Sequence, residues 1–135
     1  MSIGEIMSSE QKHHEELVRE FHSQLKQIFD ASEQAIYLYL DDNHKVCNNK
    51  FASLLGYPSP EDWAKIKNPL DENVDKKSQD AVVSAYFKAT EKMIGSAMDV
   101  KLKTTSGSVF YANVIVVPVA YQKHMFALYF ISKKD

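Results

Sequence analysis

Asn48-Asn49-Lys50-Phe51-Ala52-Ser53-Leu54-Leu55-Gly56-Tyr57 decides how the rest of the chain is read. Asn48 or Asn49 can cap the orphan amides at the start of a short helix, and Gly56 supplies the left-handed residue that ends one. Phe51, Leu54 and Leu55 stand at i, i+3 and i+4, so one face of this helix is apolar and must be buried. It is entered directly from β structure. Ala35-Ile36-Tyr37-Leu38-Tyr39-Leu40 has the aromatic and β-branched content of a strand. Asp41-Asp42-Asn43-His44 is a turn, because Asp and Asn bond their own backbone. Lys45-Val46-Cys47 returns as a second, short strand.

Upstream, residues 1–8 carry little pattern and are expected to be loose. From Ser9 to Asp30 there is neither Pro nor Gly, and Val18, Phe21, Leu25 and Ile28 are spaced 3, 4 and 3. Leu17 and Phe29 widen that stripe. The same frame lands on Gln11 and His14 further upstream, so an amphipathic helix is predicted rather than a long coiled coil. Such a helix must lay its stripe on something.

Downstream, Ser59-Pro60-Glu61-Asp62-Trp63 has the order of a helix start, with a cap, Pro at the first position and acids in the first turn. Asn68-Pro69 breaks that helix, and a polar connector with room for one helical turn runs from Asp71 to Lys77. The longest helix of this part is predicted over Ser78–Ile94, with Val82, Tyr86, Ala89 and Met93 on one stripe and Gly95 closing it. Three strands follow: Ala97–Thr104, Ser108–Tyr121 and His124–Ile131. The last two are apolar on both sides. Both of their faces must therefore be covered.

The 135 residues suit one core. A net charge of −2 with interleaved acids and bases leaves no footprint for nucleic acid or an anionic membrane. The single cysteine, Cys47, fits a reducing compartment. No apolar run approaches the ~20 residues of a membrane span, and Met1 to Glu10 lacks the pattern of a signal peptide. A cytoplasmic protein is the expectation.

Two strands, several short helices, one longer helix and three strands is the order found in PAS domains. Residues 30–132 resemble that family. The resemblance is carried by Asn48 through Tyr57, similar to the family's N-x-x-F-x-x-L-x-G-Y segment, by Ser59-Pro60-Glu61-Asp62, and by Gly107 with Tyr111 and Pro118. It implies an α+β fold: a PAS-like five-stranded antiparallel sheet with helices on one face, here with an added N-terminal amphipathic helix. Residues 1–30 are assigned to that helix and 31–135 to the PAS domain. The family's usual glycine is missing from the Asp41–His44 turn. Its Asp-Ile-Thr effector coupling is missing at the end, so output is expected to pass through contacts with other chains. The resemblance implies sensing or protein–protein roles, commonly as dimers through the N-terminal helix and the outer sheet face.

The candidate chemistry is sparse. Covalent flavin photochemistry of the LOV kind needs a cysteine within a helical N-C-R-F-L-Q segment, and Cys47 precedes the helix. Haem needs an axial ligand on the long helix, where residues 78–94 offer only Tyr86 and Met93; haem is not expected, and the cofactor is left unknown. His13, His14 and His22 share one helix without an i, i+4 pair, His44 lies in a turn and His124 starts a strand. They read as separate solvated groups, and no metal site is assigned. Asp99 and Asn113 make no catalytic set, and both are expected to face outward. Tyr37, Tyr39, Tyr111 and Tyr129 read as sheet surface under a helix or as an interface.

The expectation is a stand-alone sensory or signalling module, without catalytic activity, acting through small-ligand sensing and homodimer contacts, with a separate signalling protein as a further partner. A ligand-free interaction scaffold is the alternative, and a small cone-shaped α+β enzyme the third reading. The ligand would be small and largely apolar, held by Phe51, Leu55, Tyr86, Phe110, Ala112 and Val114; plain core is the simpler account of the same residues. Val18, Phe21, Leu25 and Ile28 are expected to meet Tyr111, Ile115 and Val117 of the same or a second subunit as the dimer interface.

Overall fold

Asn48 is the joint between sheet and helices. It is 4 % exposed, and its side-chain oxygen accepts from the amides of Phe51 at 3.0 Å and Ile36 at 3.1 Å, while its amide nitrogen donates to the Gln34 carbonyl at 2.9 Å. One side chain thus caps the helix and fixes the start of the first strand. A computed structural model describes residues 8–135; the expectation for residues 1–7 lies outside the described residues. Ser8 is not loose. It caps the first helix through a reciprocal pair of hydrogen bonds with Gln11.

The elements in order are α1 (Ser9–Ala31), β1 (Ala35–Asp41), β2 (His44–Cys47), α2 (Asn49–Leu55), α3 (Pro60–Ala64), α4 (Pro69–Asn73), α5 (Lys76–Lys92), β3 (Ser96–Lys103), β4 (Val109–Tyr121) and β5 (His124–Lys133). The strands form one antiparallel sheet in the order β2-β1-β5-β4-β3. Tyr37 stands opposite Tyr129, Tyr129 opposite Val116, and Val100 opposite Ala112. The inner face is covered by helices, but the outer face is covered only in part, since Tyr111 and Ile115 of β4 are 54 % and 39 % exposed, against the expectation from two-sided apolar strands. On the inner face Trp63, Val74, Ala85 and Ala89 from the α3–α5 region pack on Val100, Ala112, Val114, Val116 and Tyr129. On the outer face Leu17, Val18, Phe21 and Phe29 of α1 pack on Ile36, Leu38, Leu40 and Phe126 of the same chain.

Gly56 ends α2 at φ 90°, and a Cβ there would lie 2.5 Å from the Thr105 hydroxyl oxygen. The end of α2 is tied to the β3–β4 turn by the Thr105 amide, which donates to the Leu55 carbonyl at 2.8 Å.

The helical turn for which the connector has room is α4, which starts on Pro69, because Pro suits a first helical position as well as it breaks a preceding helix. Three further expectations need correction. The α5 helix is closed by Met93 at φ 56°, not by Gly95. Gly95 answers a different need: a Cβ there would lie 3.0 Å from the Val116 carbonyl oxygen. The row of α1 on the sheet is Leu17, Phe21, Leu25 and Phe29 at i, i+4, with Val18 beside it and Leu25 half-buried, so of the expected stripe only Ile28, 55 % exposed, faces away. Finally, Tyr37, Tyr39 and Tyr129 belong to the inner face, away from α1; of the four strand tyrosines considered, only Tyr111 is exposed.

Candidate functional site

The inward tyrosines surround a cavity of about 270 Å³ between the inner sheet face and α3–α5. Tyr37, Tyr39 and Tyr129 come from the sheet, Trp63, Asn73 and Tyr86 from the helices, and Met98, Val100 and Val114 complete the floor. Val83 and Phe87 border it on α5 and are 37 % and 48 % exposed, so the cavity reaches solvent along that helix.

The aromatic wall is held by stacking and by fixed hydrogen bonds. Tyr37 and Tyr129 stack with centroids 4.0 Å apart and 12° between planes, and Phe51 meets Trp63 edge-on at 5.0 Å. The Trp63 indole donates to Asn73 Oδ1 at 2.9 Å, and Asn73 Nδ2 donates to the Tyr57 hydroxyl at 2.8 Å. That chain satisfies a buried asparagine, which would otherwise be costly. The Tyr86 hydroxyl donates to the Leu40 carbonyl at 3.3 Å and that of Tyr39 to the Asp42 carboxylate. Burial pushes Tyr37, Tyr39, Tyr86 and Tyr129 above the ordinary phenol range, and the neighbouring Tyr129 adds to the effect on Tyr37. All four stay phenols at neutral pH. They offer hydroxyl dipoles rather than charge.

Lys45 lies beneath the same wall, 3 % exposed, its ammonium 5.2 Å from the Trp63 ring centroid. It donates to the carbonyls of Asp42, Ala64 and Ile66, so three backbone oxygens replace its water. Burial lowers its pKa. Its reach across α3 and the β1–β2 turn makes it a tether for the cavity's rim.

Of the six residues expected to form a pocket, Phe51, Tyr86 and Val114 line the cavity. Leu55 and Ala112 are fully buried and do not line it, the first behind Phe51 on α2 and the second with a side chain of one methyl group. Phe110 sits near the start of β4 beneath the Lys133 ammonium, 5.2 Å from its ring centroid, and also lies outside the lining. Tyr37, Tyr39, Trp63, Asn73 and Tyr129 were not singled out for the pocket. Their signal was the aromatic content of β1 and α3, but strands apolar on both sides do not say which side is inward. Among the residues considered for the dimer, Val18 and Phe21 are buried within the chain; Ile28, Tyr111 and Ile115 are exposed; Leu25 and Val117 are half-buried.

No protein-family model and no curated protein matches the sequence. Solved structures match the fold. A PAS domain from a Colwellia psychrerythraea protein aligns with a TM-score of 0.67 at 18 % identity, over 84 % of this chain and 97 % of that one. The chain has the PAS fold. A PAS domain from a two-component sensor histidine kinase aligns at 0.64 with 16 % identity, over 86 % and 97 % of the two chains. A LOV protein from Rhodobacter sphaeroides aligns at 0.66 with 14 % identity, over 85 % and 67 %. In the present PAS fold Cys47 is 3 % exposed and lies outside the cavity lining. Burial pushes its thiol up to about 12. Among the described residues no helix is long and apolar enough to cross a membrane.

Proposed function

We propose that this PAS-fold chain is a non-catalytic sensory or signalling module whose tyrosine-walled cavity takes a small, largely apolar ligand. The observation that carries the reading is the cavity itself. At about 270 Å³ it has room for about nine waters at ~30 Å³ each, and it is bounded by tyrosines of which Tyr39 and Tyr86 donate to fixed acceptors and Tyr37 and Tyr129 face each other. Flat aromatic walls favour a flat apolar guest, and the Tyr37 and Tyr129 phenols supply the polar contacts that orient one. The lining holds no imidazole and no thiol, and the groups it would present to a haem iron are its tyrosine phenols and the Met98 thioether.

Output would pass through the uncovered part of the outer sheet face. Tyr111 and Ile115 on β4, 54 % and 39 % exposed, lie where α1 does not reach, and Ile28 is exposed on α1 itself. This apolar surface is proposed as the contact for a second copy of the chain, with a separate signalling protein as the further partner.

Native mass spectrometry with an absorbance scan of freshly purified protein tests the ligand. Extra mass that disappears in Val82→Phe, which fills the cavity from α5, supports the sensor reading. Protein of calculated mass that also fails to take up small aromatic probes at millimolar concentration would sink it in favour of an interaction scaffold.

A further inference from the structure

Histidines that are scattered along the chain, and read there as separate solvated groups, converge at one end of the sheet. His14 lies on the second turn of α1. Asp41 and His44 are the two ends of the β1–β2 hairpin, paired across its turn, and His124 opens β5 just after the β4–β5 turn. Because α1 crosses the outer face over β1 and β2, its first turns arrive above these hairpin ends. The convergence is a product of topology and leaves no local spacing in the sequence.

The donor atoms face one another. Asp41 Oδ1 lies 2.6 Å from His44 Nδ1 and Asp41 Oδ2 lies 3.4 Å from His14 Nδ1. One donor atom from each of the three residues lies within 4.8 Å of the other two. The imidazoles of His14 and His44 are 18 % and 13 % exposed, far less than a solvated surface histidine. Around them, the His124 ring lies 5.3 Å from that of His14, the His13 ring lies 5.1 Å from that of His124, and Glu10 Oε1 is 3.9 Å from His14 Nε2.

His44 Nδ1 and Asp41 Oδ1 share a hydrogen bond, and the His14 ring faces the other oxygen of the same carboxylate, so two imidazoles and one carboxylate meet in one small space. Two imidazoles and one carboxylate form a donor set used for zinc, with ligand distances of about 2.0–2.2 Å, which puts tetrahedral donor atoms roughly 3.4 Å apart. The 3.4 Å between Asp41 and His14 is of that size, and the 2.6 Å between Asp41 and His44 is a hydrogen bond that would open by under an ångström to admit an ion, all within a span of 4.8 Å.

We propose that His14, Asp41 and His44 form a divalent transition-metal site of the zinc class, with the remaining coordination left to water. The site is separate from the tyrosine-walled cavity and none of its three ligands lines that cavity. One ligand comes from α1 and two from the β1–β2 hairpin, so an ion there fastens the N-terminal helix to the sheet. Binding to the folded arrangement alone stabilises it by mass action.

The test uses the full chain, freed of metal with a chelator and titrated with zinc chloride by calorimetry, alongside thermal melts and a cobalt(II) absorption spectrum. One ion per chain is expected, with a rise in Tm that excess chelator reverses. His44→Ala and Asp41→Asn should each weaken binding at least about tenfold, since even outer-shell partners are worth roughly 10- to 100-fold. His22→Ala, on the same helix but edge-on against Phe29, should leave binding unchanged. If His44→Ala loses its folded circular dichroism, His14→Gln, near the start of α1 and outside its buried row, decides instead. Absence of stoichiometric zinc binding would overturn the proposal, and so would affinity that survives both His14→Gln and His44→Ala.

Discussion

Asn48 carries three hydrogen bonds that belong to two different elements, and that makes it the position where a single atom change costs most outside the apolar core. Removing the amide in Asn48→Ala deletes a helix cap, worth about 1 kcal/mol. It also leaves the buried Ile36 amide and Gln34 carbonyl without that partner, at about 1–3 kcal/mol for such a group. A loss of roughly 2–3 kcal/mol in a urea titration is expected. An effect within about 0.5 kcal/mol, the range of ordinary surface substitutions, would show that the asparagine is not the joint described. Cys47, next to it, gives a second prediction. Its ordinary value of 9.0 is raised to about 12 by burial, so native protein at mildly alkaline pH should resist thiol reagents that label the urea-unfolded chain at once. The sign follows from linkage. The folded thiol keeps its proton where the unfolded one loses it, so this contribution is complete below pH 9.0 and declines as pH rises from there toward 12. Equal labelling of native and unfolded protein would contradict the burial.

The elements show what a sequence can and cannot disclose. Every strand and the helices α1, α2, α3 and α5 were legible from periodicity and caps, since Asn48, Gly56 and Ser59-Pro60 each impose a local geometry. The facing of two-sided strands was not. In β1 both Ile36/Leu38/Leu40 and Tyr37/Tyr39 are apolar enough to be buried, and only the packing of α1 on the first set sends the tyrosines inward to the cavity. The stripe on α1 was off at one end for a related reason: Val18, Phe21 and Leu25 pack on the sheet, but beyond them contact selected the i, i+4 row that ends on Phe29 and leaves Ile28 exposed. Phe21 is central to that contact. It stacks on Tyr121 at 4.3 Å and 3° and meets Phe126 edge-on at 5.2 Å. Phe21→Ala is expected to cost about 3 kcal/mol and to raise hydrogen exchange across β1 and β5 before it affects α5. Exchange that rises evenly over the whole chain would mean that α1 is no separate docking unit.

At the scale of the molecule, the position of α1 changes how the proposed dimer has to be tested. Deleting residues 1–28 would uncover Ile36, Leu38 and Phe126, which are at most 1 % exposed. A hydrophobic face of that kind aggregates whether or not the chain is a dimer. Truncation therefore confuses folding with association. Ile115 avoids the difficulty. It is 39 % exposed on the outer face of β4, beside Tyr111 at 54 % and clear of the core formed with α1. Its replacement by lysine leaves the buried faces of the sheet intact, while a charge placed at the centre of an apolar contact between two copies would be desolvated twice. Ile115→Lys is thus expected to convert a dimer to a monomer in sedimentation equilibrium, with a Tm no more than a few degrees below that of the parent monomer–dimer mixture extrapolated to low concentration. A dimer that persists unchanged in Ile115→Lys and in Tyr111→Lys would place the association elsewhere, and the uncovered half of the sheet would then be free for the partner that receives the signal.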